Sequence, residues 1–223
     1  MKKGLIFVLF ALVSIVSYSQ ISWNAKVGMN MSNFTGDAFK DSKMRIGFNV
    51  GVGAEYQFTE MWSIQPSLMF TQKGTKVEAS EDGITATAKL NPMYLEIPVL
   101  AAARFAVADN QNIVIKAGPY FAFGLAGKFK TEVSGDLGGV SVEDVLDYFD
   151  VPKEADLFKD AKDGGVDMKR FDFGIGVGVA YEIGKFFVSL DGEFGLTKLI
   201  DFKDDDVSNP KNMNFSIGVG YKF

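Results

Sequence analysis

Residues 171–184, FDFGIGVGVAYEIG, place an apolar side chain at every second position and glycine, alanine or a carboxylate between them. Successive side chains of a β-strand point to opposite faces, so this stretch has one apolar face and one small, polar face. The pattern recurs seven times, at 22–30, 44–58, 62–70, 93–105, 113–127, 186–196 and 212–223. We therefore predict eight strands, most of them long enough to cross a membrane at a tilt.

The connections between these stretches alternate strictly in length. Three are short (59–61, 106–112 and 184–185) and four are long (31–43, 74–90, 127–169 and 198–211). A meander that closes on itself with short turns at one end gives this record, so the predicted fold is an all-β, eight-stranded antiparallel up-and-down transmembrane β-barrel of the outer-membrane type. Pro66, Pro98 and Pro119 predict bulges or strand ends, because proline donates no ladder hydrogen bond.

The second face of the strands decides between a membrane barrel and a soluble one. A soluble barrel would hide its apolar face and show the other to water, where the many glycines would leave bare backbone. In a narrow lumen the same glycines make room for larger side chains, and the charges nearly balance, as buried charges must. We predict a lumen charge network made of Arg45, Glu55, Glu96, Arg104, Lys116, Arg170, Asp172, Glu182, Asp191, Glu193 and Lys222.

The chain opens with two lysines, an apolar run and small polar residues, which is typical of a secretory signal peptide. We expect a signal peptide at 1–19, cleaved between Ser19 and Gln20, and one barrel domain at 20–223. A spanning helix is the alternative, but the apolar run is shorter than the roughly 20 residues a span needs. Loss of Lys2 and Lys3 would change the net charge from −5 to −7.

Composition excludes several functions. The chain has no histidine and no cysteine, so it can build neither a Ser-His-Asp triad nor an imidazole or thiolate metal site. Its acidic balance argues against nucleic acid as a partner. Glu96 beside an arginine is expected to form a structural ion pair rather than an acid–base pair. We therefore predict no enzyme activity, with no catalytic residue, no cofactor and no metal.

The third long connection carries the features least explained by a barrel. Ser141 followed by acidic residues predicts a helix start, and Val142, Val145, Leu146 and Phe149 would share one helical face. A second helical piece is predicted after Pro152. The extracellular loop would then be partly helical, serving either as a docking element or lid, or simply as a cover over the barrel mouth.

The same connection is acidic. Residues 128–167 contain eleven Asp or Glu and five Lys. Outward carboxylates, among them Asp160, Asp163 and Asp167, could hold Ca²⁺ or Mg²⁺. The alternative is a solvated acidic loop, which the spacing favours because it fits no ion-binding loop.

Aromatic residues gather where the predicted strands meet short turns or the end of the sequence. We expect them to form a girdle at the membrane boundary. They are Tyr56, Phe58, Trp62, Tyr181, Phe186, Phe187, Tyr221 and Phe223.

The segments KVGMNMSNF, YLEIPVLAAARF and GVGYKF resemble the outer-membrane β-barrel domain of PorT-like proteins of the Bacteroidota, over the whole mature chain. Its most specific parts are residues 94–98 and the closing aromatic Phe223. The resemblance implies an eight-stranded barrel in the outer membrane, with Phe223 presented to the barrel-assembly machinery. It implies little about activity, although PorT itself is tied to a secretion system.

These observations predict a non-enzymatic protein of the cell outer membrane with a packed lumen. Its extracellular loops would serve adhesion, binding or envelope structure, with an unidentified protein partner possible there. The alternative is an accessory subunit of an outer-membrane transport or secretion machine. Outer-membrane lipid is expected around the wall in either case.

Overall fold

A computed structural model describes residues 21–40, 42–81, 83–135, 141, 153–201 and 208–223. This part of the chain forms ten strands and two 3-10 turns, Asp37–Phe39 and Ala161–Asp163. None of its helices is long and apolar enough to cross a membrane. The strands are β1 (Ile21–Thr35), β2 (Lys43–Gln57), β3 (Trp62–Gln72), β4 (Thr75–Glu81), β5 (Ile84–Ala108), β6 (Gln111–Ser134), β7 (Glu154–Asp156), β8 (Phe171–Ile183), β9 (Phe186–Gly195) and β10 (Lys211–Lys222).

Eight of these strands close into a ring. Each pairs antiparallel with its neighbours in the order β1, β2, β3, β5, β6, β8, β9 and β10. The last strand returns to the first, in a ladder that runs from Asn24 opposite Lys222 to Thr35 opposite Lys211. The predicted eight-stranded up-and-down barrel is confirmed, and closure leaves the ring without a free edge.

The alternation of short and long connections is also found. Short turns join β2 to β3, β5 to β6 and β8 to β9, all at one end, which we call the short-turn end. The other end is the long-loop end. There the prediction of a loop at 74–90 is wrong, because β4 and the first residues of β5 pair as a hairpin around Gly83.

Strands β5 and β6, of 25 and 24 residues, continue well beyond the ring at the long-loop end. There β4, residues 84–92, residues 127–134 and β7 form a four-stranded sheet, which we call the outer sheet. Thr75 and Lys76 of β4, which lie opposite Leu90 and Lys89, still pair with β2. Residues 84–88 of β5 therefore extend beyond the ring, by roughly 17 Å at about 3.3 Å per residue.

The predicted helical piece after Pro152 is wrong. Residues 154–156 form strand β7, with Ala155 opposite Phe129 of β6. Backbone pairing with β6 holds this segment extended, and the ammonium groups of Lys128 and Lys130 pair with the Glu154 carboxylate. The helix predicted at 141–149 falls, apart from Ser141, outside the described residues, and the described part of the chain contains no α-helix.

The expectation of bulges or strand ends at the three prolines is also wrong. Pro66, Pro98 and Pro119 lie inside β3, β5 and β6, and the register is the same on both sides of each proline. Around Pro98, two residue pairs are missing from the ladder of β5 with β3, and two are missing from its ladder with β6. The register shifts of β5 against β6 occur elsewhere, at Met93/Tyr94 and Ala106/Ala108.

The outward face of the ring is apolar and exposed, as at Val177 and Ile217 (43% and 50%), and the inward face holds the glycines and charges. Glycine is needed where long side chains cross the lumen: a Cβ on Gly178 would lie 2.8 Å from the Lys116 Cε atom. Most residues of the expected aromatic girdle face outward, but the prediction for Phe187 is wrong. Its ring is buried in the lumen over Gly220, which has no side chain to obstruct it.

Candidate functional site: a lumen closed at both ends

Four charged side chains close the lumen at the short-turn end. Glu55, Arg104, Glu182 and Lys222, the ion quartet, come from β2, β5, β8 and β10, which are every second strand of the ring. Their charges alternate in sign around the barrel. Arg104 Nη2 lies 2.7 Å from Glu55 Oε1, Arg104 Nε lies 3.2 Å from Glu182 Oε2, and Lys222 Nζ lies 2.9 Å from Glu55 Oε2. Lys222 also pairs with Glu182, so each charge has two partners.

Two further ionic layers fill the lumen above the quartet. In the middle layer, Lys26 and Lys116 both pair with Asp191, the latter at 2.8 Å. In the upper layer the fully buried Lys73 lies 2.5 Å from Glu96 Oε1 and 2.9 Å from Glu193 Oε2. These are ion-pair distances, but the Lys73 ammonium is outside hydrogen-bond geometry with either carboxylate.

Asp172 lies beside the upper layer and is held by neutral donors. Tyr120 donates its hydroxyl at 3.0 Å, Asn212 its amide at 2.7 Å and Thr197 its hydroxyl at 2.6 Å. The Tyr120 ring also lies 4.6 Å from the Lys73 ammonium, in cation–π contact. Tyr120 therefore connects the ionic layers with the apolar layer above.

Two of the expected network residues are not in these layers. Arg170 is exposed at the long-loop end, where it donates to the Gly124 carbonyl at 2.8 Å and stacks on Phe158, so its expected lumen position is wrong. Strand β8 begins one residue later, so Arg170 lies above the wall. Arg45 is half-buried at the top of the lumen, and its Nη1 has no hydrogen-bond partner in the described part of the chain.

Sequence reasoning missed Lys26 and Lys73, although the alternation contained the signal for both. Lys26 lies between the outward residues Ala25 and Val27, and Lys73 continues the inward series of β3 by one step. With these two added and Arg170 removed, the inward face of the ring carries six positive and six negative side chains among the described residues. Glu96 forms an ion pair as expected, but with Lys73 instead of an arginine.

Apolar side chains close the lumen at the long-loop end, in what we call the apolar cap. Leu157 and Leu199 are fully buried and Met168 is 3% exposed, although all three come from connections rather than strands. Backbone hydrogen bonds hold these connections down: Leu157 N donates to Gly127 O at 3.0 Å and Met168 N to Leu157 O at 2.8 Å. The wall contributes the other members of the cap, which are Phe34, Leu90, Tyr94, Tyr120 and Ala122.

Between the two closures the lumen contains two small polar cavities, of about 70 and 50 Å³. Lys26, Ser67, Met69 and Lys116 line both of them. The larger cavity has room for about five water molecules. It is lined by the side chains of Asn49 and Asn214, whose buried Oδ1 atoms accept no hydrogen bond within the described protein. The lumen is therefore packed and polar, without a continuous channel through the described ring.

The geometry is that of a closed barrel with a hydrocarbon-facing wall, and a family profile matches it. The profile of the outer membrane protein beta-barrel domain matches residues 16–201. The chain belongs to this family. It lies in the outer membrane, with its apolar wall in the lipid bilayer. In such barrels the short turns face the periplasm, so the ion quartet is periplasmic and the apolar cap is extracellular.

Comparison with solved structures finds other outer-membrane barrels. Ail of Yersinia pestis, solved with the heparin analogue sucrose octasulfate, is 20% identical, with 92% of this chain and 99% of Ail covered at a TM-score of 0.40. OprG of Pseudomonas aeruginosa is 12% identical, with 91% and 95% covered at a TM-score of 0.42. Likenesses this low carry no argument about function. No curated protein sequence matches the chain.

The extracellular outer sheet carries several exposed ion pairs. Hydrogen bonds from Lys128 and Lys130 lower the pKa of Glu154 to about 2, and those from Lys43 and Lys76 do the same for Glu78. A Ca²⁺ or Mg²⁺ site is one of the two interpretations of the acidic connection, the other being a solvated acidic loop, and the described residues contain no cluster of three possible metal ligands. Asp160, Asp163 and Asp167 lie in or beside the turn at Ala161–Asp163, whose backbone is hydrogen-bonded to itself.

Proposed function

We propose that this chain is a non-enzymatic outer-membrane protein that acts through its extracellular surface, in adhesion, binding or support of the envelope. The observation that carries the proposal is the combination of a closed lumen with a sheet that rises far above it. Within the described residues the apolar cap and the ion quartet close the lumen at its two ends, so we place function on the extracellular surface instead of in the lumen.

The outer sheet is built to be a rigid extracellular platform. Its two central strands are continuous with the wall, so the sheet inherits the rigidity of the barrel. One face carries apolar side chains such as Val77 and Val133, and the other carries the paired charges of Lys89 with Glu132 and of Glu154 with its two lysines. A surface with both characters suits recognition of another macromolecule.

Trimming the platform tests the proposal. In the trimmed variant a two-residue Asn-Gly turn replaces residues 77–88 and joins the paired residues Lys76 and Lys89, so β4 and β5 end near the ring. Correct folding is checked by heat-dependent gel mobility, in which the unheated folded barrel migrates differently from the heated protein. We expect cells with this variant to lose cell–cell adhesion or resistance to detergent, relative to cells with the full chain. Equal adhesion and equal resistance would contradict the proposal.

The alternative is an accessory role in an outer-membrane transport or secretion machine, as the resemblance to PorT-like proteins of the Bacteroidota suggests. A stoichiometric protein partner bound at the extracellular loops would favour it. Gentle purification from native membranes separates the two functions: we expect the barrel without such a partner, whereas a fixed-ratio complex would support the machine.

Biogenesis completes the proposal. Residues 1–19 would direct export and be removed between Ser19 and Gln20. Phe223, which is 70% exposed and donates its backbone N–H to Trp23 O at 2.9 Å, would present its ring to the barrel-assembly machinery. Changing Phe223 to Ser should slow the appearance of folded barrel in the membrane.

A further inference from the structure

One outward position of the barrel wall lacks a side chain. The outward series of β9 runs Phe186, Val188, Leu190, Gly192 and Phe194. Gly192 is the only glycine among the outward positions of the eight ring strands as the structure describes them. Its cross-strand neighbours are Val177 of β8 and Phe215 of β10, so the gap is flanked by large apolar side chains.

Gly192 itself is buried, because the Phe194 and Phe215 rings lie over it, and a groove opens beside these rings on the outside of the wall. The groove is shallow and open on its outer side, with a volume of about 620 Å³. Its walls are almost entirely apolar and come from β1, β8, β9 and β10. Phe194 and Phe215, whose rings stand edge to face at 5.8 Å, form one side of it.

The height of the groove identifies what reaches it. Gly192 lies six residues above Phe186, which belongs to the periplasmic girdle. On a strand tilted by about 40°, six residues rise roughly 15 Å, which is just past the middle of an apolar band about 25 Å tall. Water and polar ligands do not reach this depth. The groove therefore opens into the hydrocarbon of the extracellular leaflet.

We propose that the Gly192 groove is a binding site for one acyl chain of a membrane lipid of the extracellular leaflet. Beside Gly192 a chain can lie in the groove, between the Phe194 and Phe215 rings on one side and Val177 and Leu190 on the other. Contact on several sides gives it more dispersion attraction than the flat wall offers.

Photo-crosslinking tests the site in the full chain refolded into phosphatidylcholine vesicles that contain a lipid with a diazirine in mid-chain. We expect lipid adducts to concentrate on the peptides that carry Gly192 and Phe215, above those of β3 and β5 on the opposite wall. Even labelling around the barrel would overturn the proposal. A cross-linked dimer through β9 and β10, in place of lipid adducts, would show a second copy as the occupant and overturn it as well.

Filling the groove provides the matched comparison. A Cβ on Gly192 would lie 3.5 Å from the Phe194 and Phe215 rings, an ordinary contact, so the Cβ of Gly192→Phe is accommodated, and its ring must displace one of these two rings to enter the groove. Its adduct enrichment should be lost, whereas Ala101→Phe, an outward exposed position on β5, should keep the wild-type pattern. Gly192→Leu serves if the larger side chain impairs folding, and folding of each is checked by heat-dependent gel mobility. Enrichment that survives in a folded filled variant would refute the site.

Discussion

At the periplasmic end of the lumen four charged side chains from alternate strands meet across the barrel, whereas at the extracellular end the contact is apolar and three of its members come from loops. The quartet is part of the wall, because each charge is fixed by its place in a ring strand. The cap rests on the wall, because Leu157, Met168 and Leu199 lie in connections. The same lumen is thus closed once by the barrel itself and once by an attached cover.

This difference implies that the lumen can open at the extracellular end without unfolding of the ring, but not at the periplasmic end. Breaking the quartet should lower the free energy of unfolding of the whole ring, because an unpaired buried charge destabilises the folded state. Loosening the cap should open the mouth while the ring remains folded, because local segments open with less free energy than the whole domain. The following changes test the comparison.

Arg104→Met should have the largest effect. It leaves the Glu55 and Glu182 carboxylates, both nearly inaccessible, with Lys222 as their remaining cation. Removing one partner of a buried ion pair costs about 3–5 kcal/mol of the free energy of unfolding. Urea unfolding in lipid vesicles measures it. Arg170→Met, at the exposed rim, is the control and should cost about 1 kcal/mol; equal losses would contradict a structural quartet.

Leu157→Ala should act on the cap alone. Truncating a fully buried leucine costs about 2–5 kcal/mol, and here the cost falls on the closed state of the cap. Amide hydrogen exchange should become faster in residues 157–168 and remain unchanged in the paired residues of β8 and β9. If ring and cap exchanged faster together, the two would be one cooperative unit and the comparison would fail.

Tyr120→Phe probes the boundary between the two closures. It removes one of three hydrogen bonds to the buried Asp172 carboxylate and keeps the ring in the cap. The expected loss is about 1.5–3 kcal/mol of the unfolding free energy, measured by the same urea titration. Tyr181→Phe, on the exposed girdle, should change less. An unchanged unfolding free energy in Tyr120→Phe would mean that the burial of the Asp172 carboxylate does not depend on the tyrosine hydroxyl.

The smallest effect is expected from pH on the outer sheet. The pKa of Glu154 is lowered to about 2, so its pairing with Lys128 and Lys130 is complete above the ordinary glutamate pKa and is lost as pH falls toward 2. Hydrogen exchange at β7 should stay constant from neutral pH to about pH 5, after correction for the intrinsic rate, and rise only in stronger acid. Glu154→Gln should remove this acid response; an unchanged response would place its cause elsewhere.

The wall could be predicted from the sequence because a membrane barrel imposes one rule on every residue of a strand. Alternation assigned the apolar face of all eight ring strands to the lipid. Applied throughout, it also places Lys26 and Phe187 in the lumen, and continued beyond the third stretch it places Lys73 there. The alternation gave the wrong position for Arg170, which counts as inward by its place in the series but precedes the first residue of β8. Parity gives the direction of a side chain only while the backbone remains extended.

The extracellular part could not be predicted in the same way, since outside the membrane no single solvent imposes a pattern. The hairpin of β4 and β5 nevertheless had a local signal in Asp82-Gly83, a dipeptide typical of two-residue turns between alternating strands. Strand β7 had none: its three residues are extended because their backbone pairs with β6, beside the ion pairs of Glu154 with two lysines. The membership of the cap likewise depends on distant contacts that no local pattern of residues 157, 168 and 199 encodes.

Single-channel recording of the full chain in a planar lipid bilayer tests most directly whether both ends of the lumen are closed. With the cap and the quartet in place, insertion of folded protein should give no stable rise in conductance. Long-lived current steps of uniform size at each insertion would show an open path through the barrel and would contradict the account.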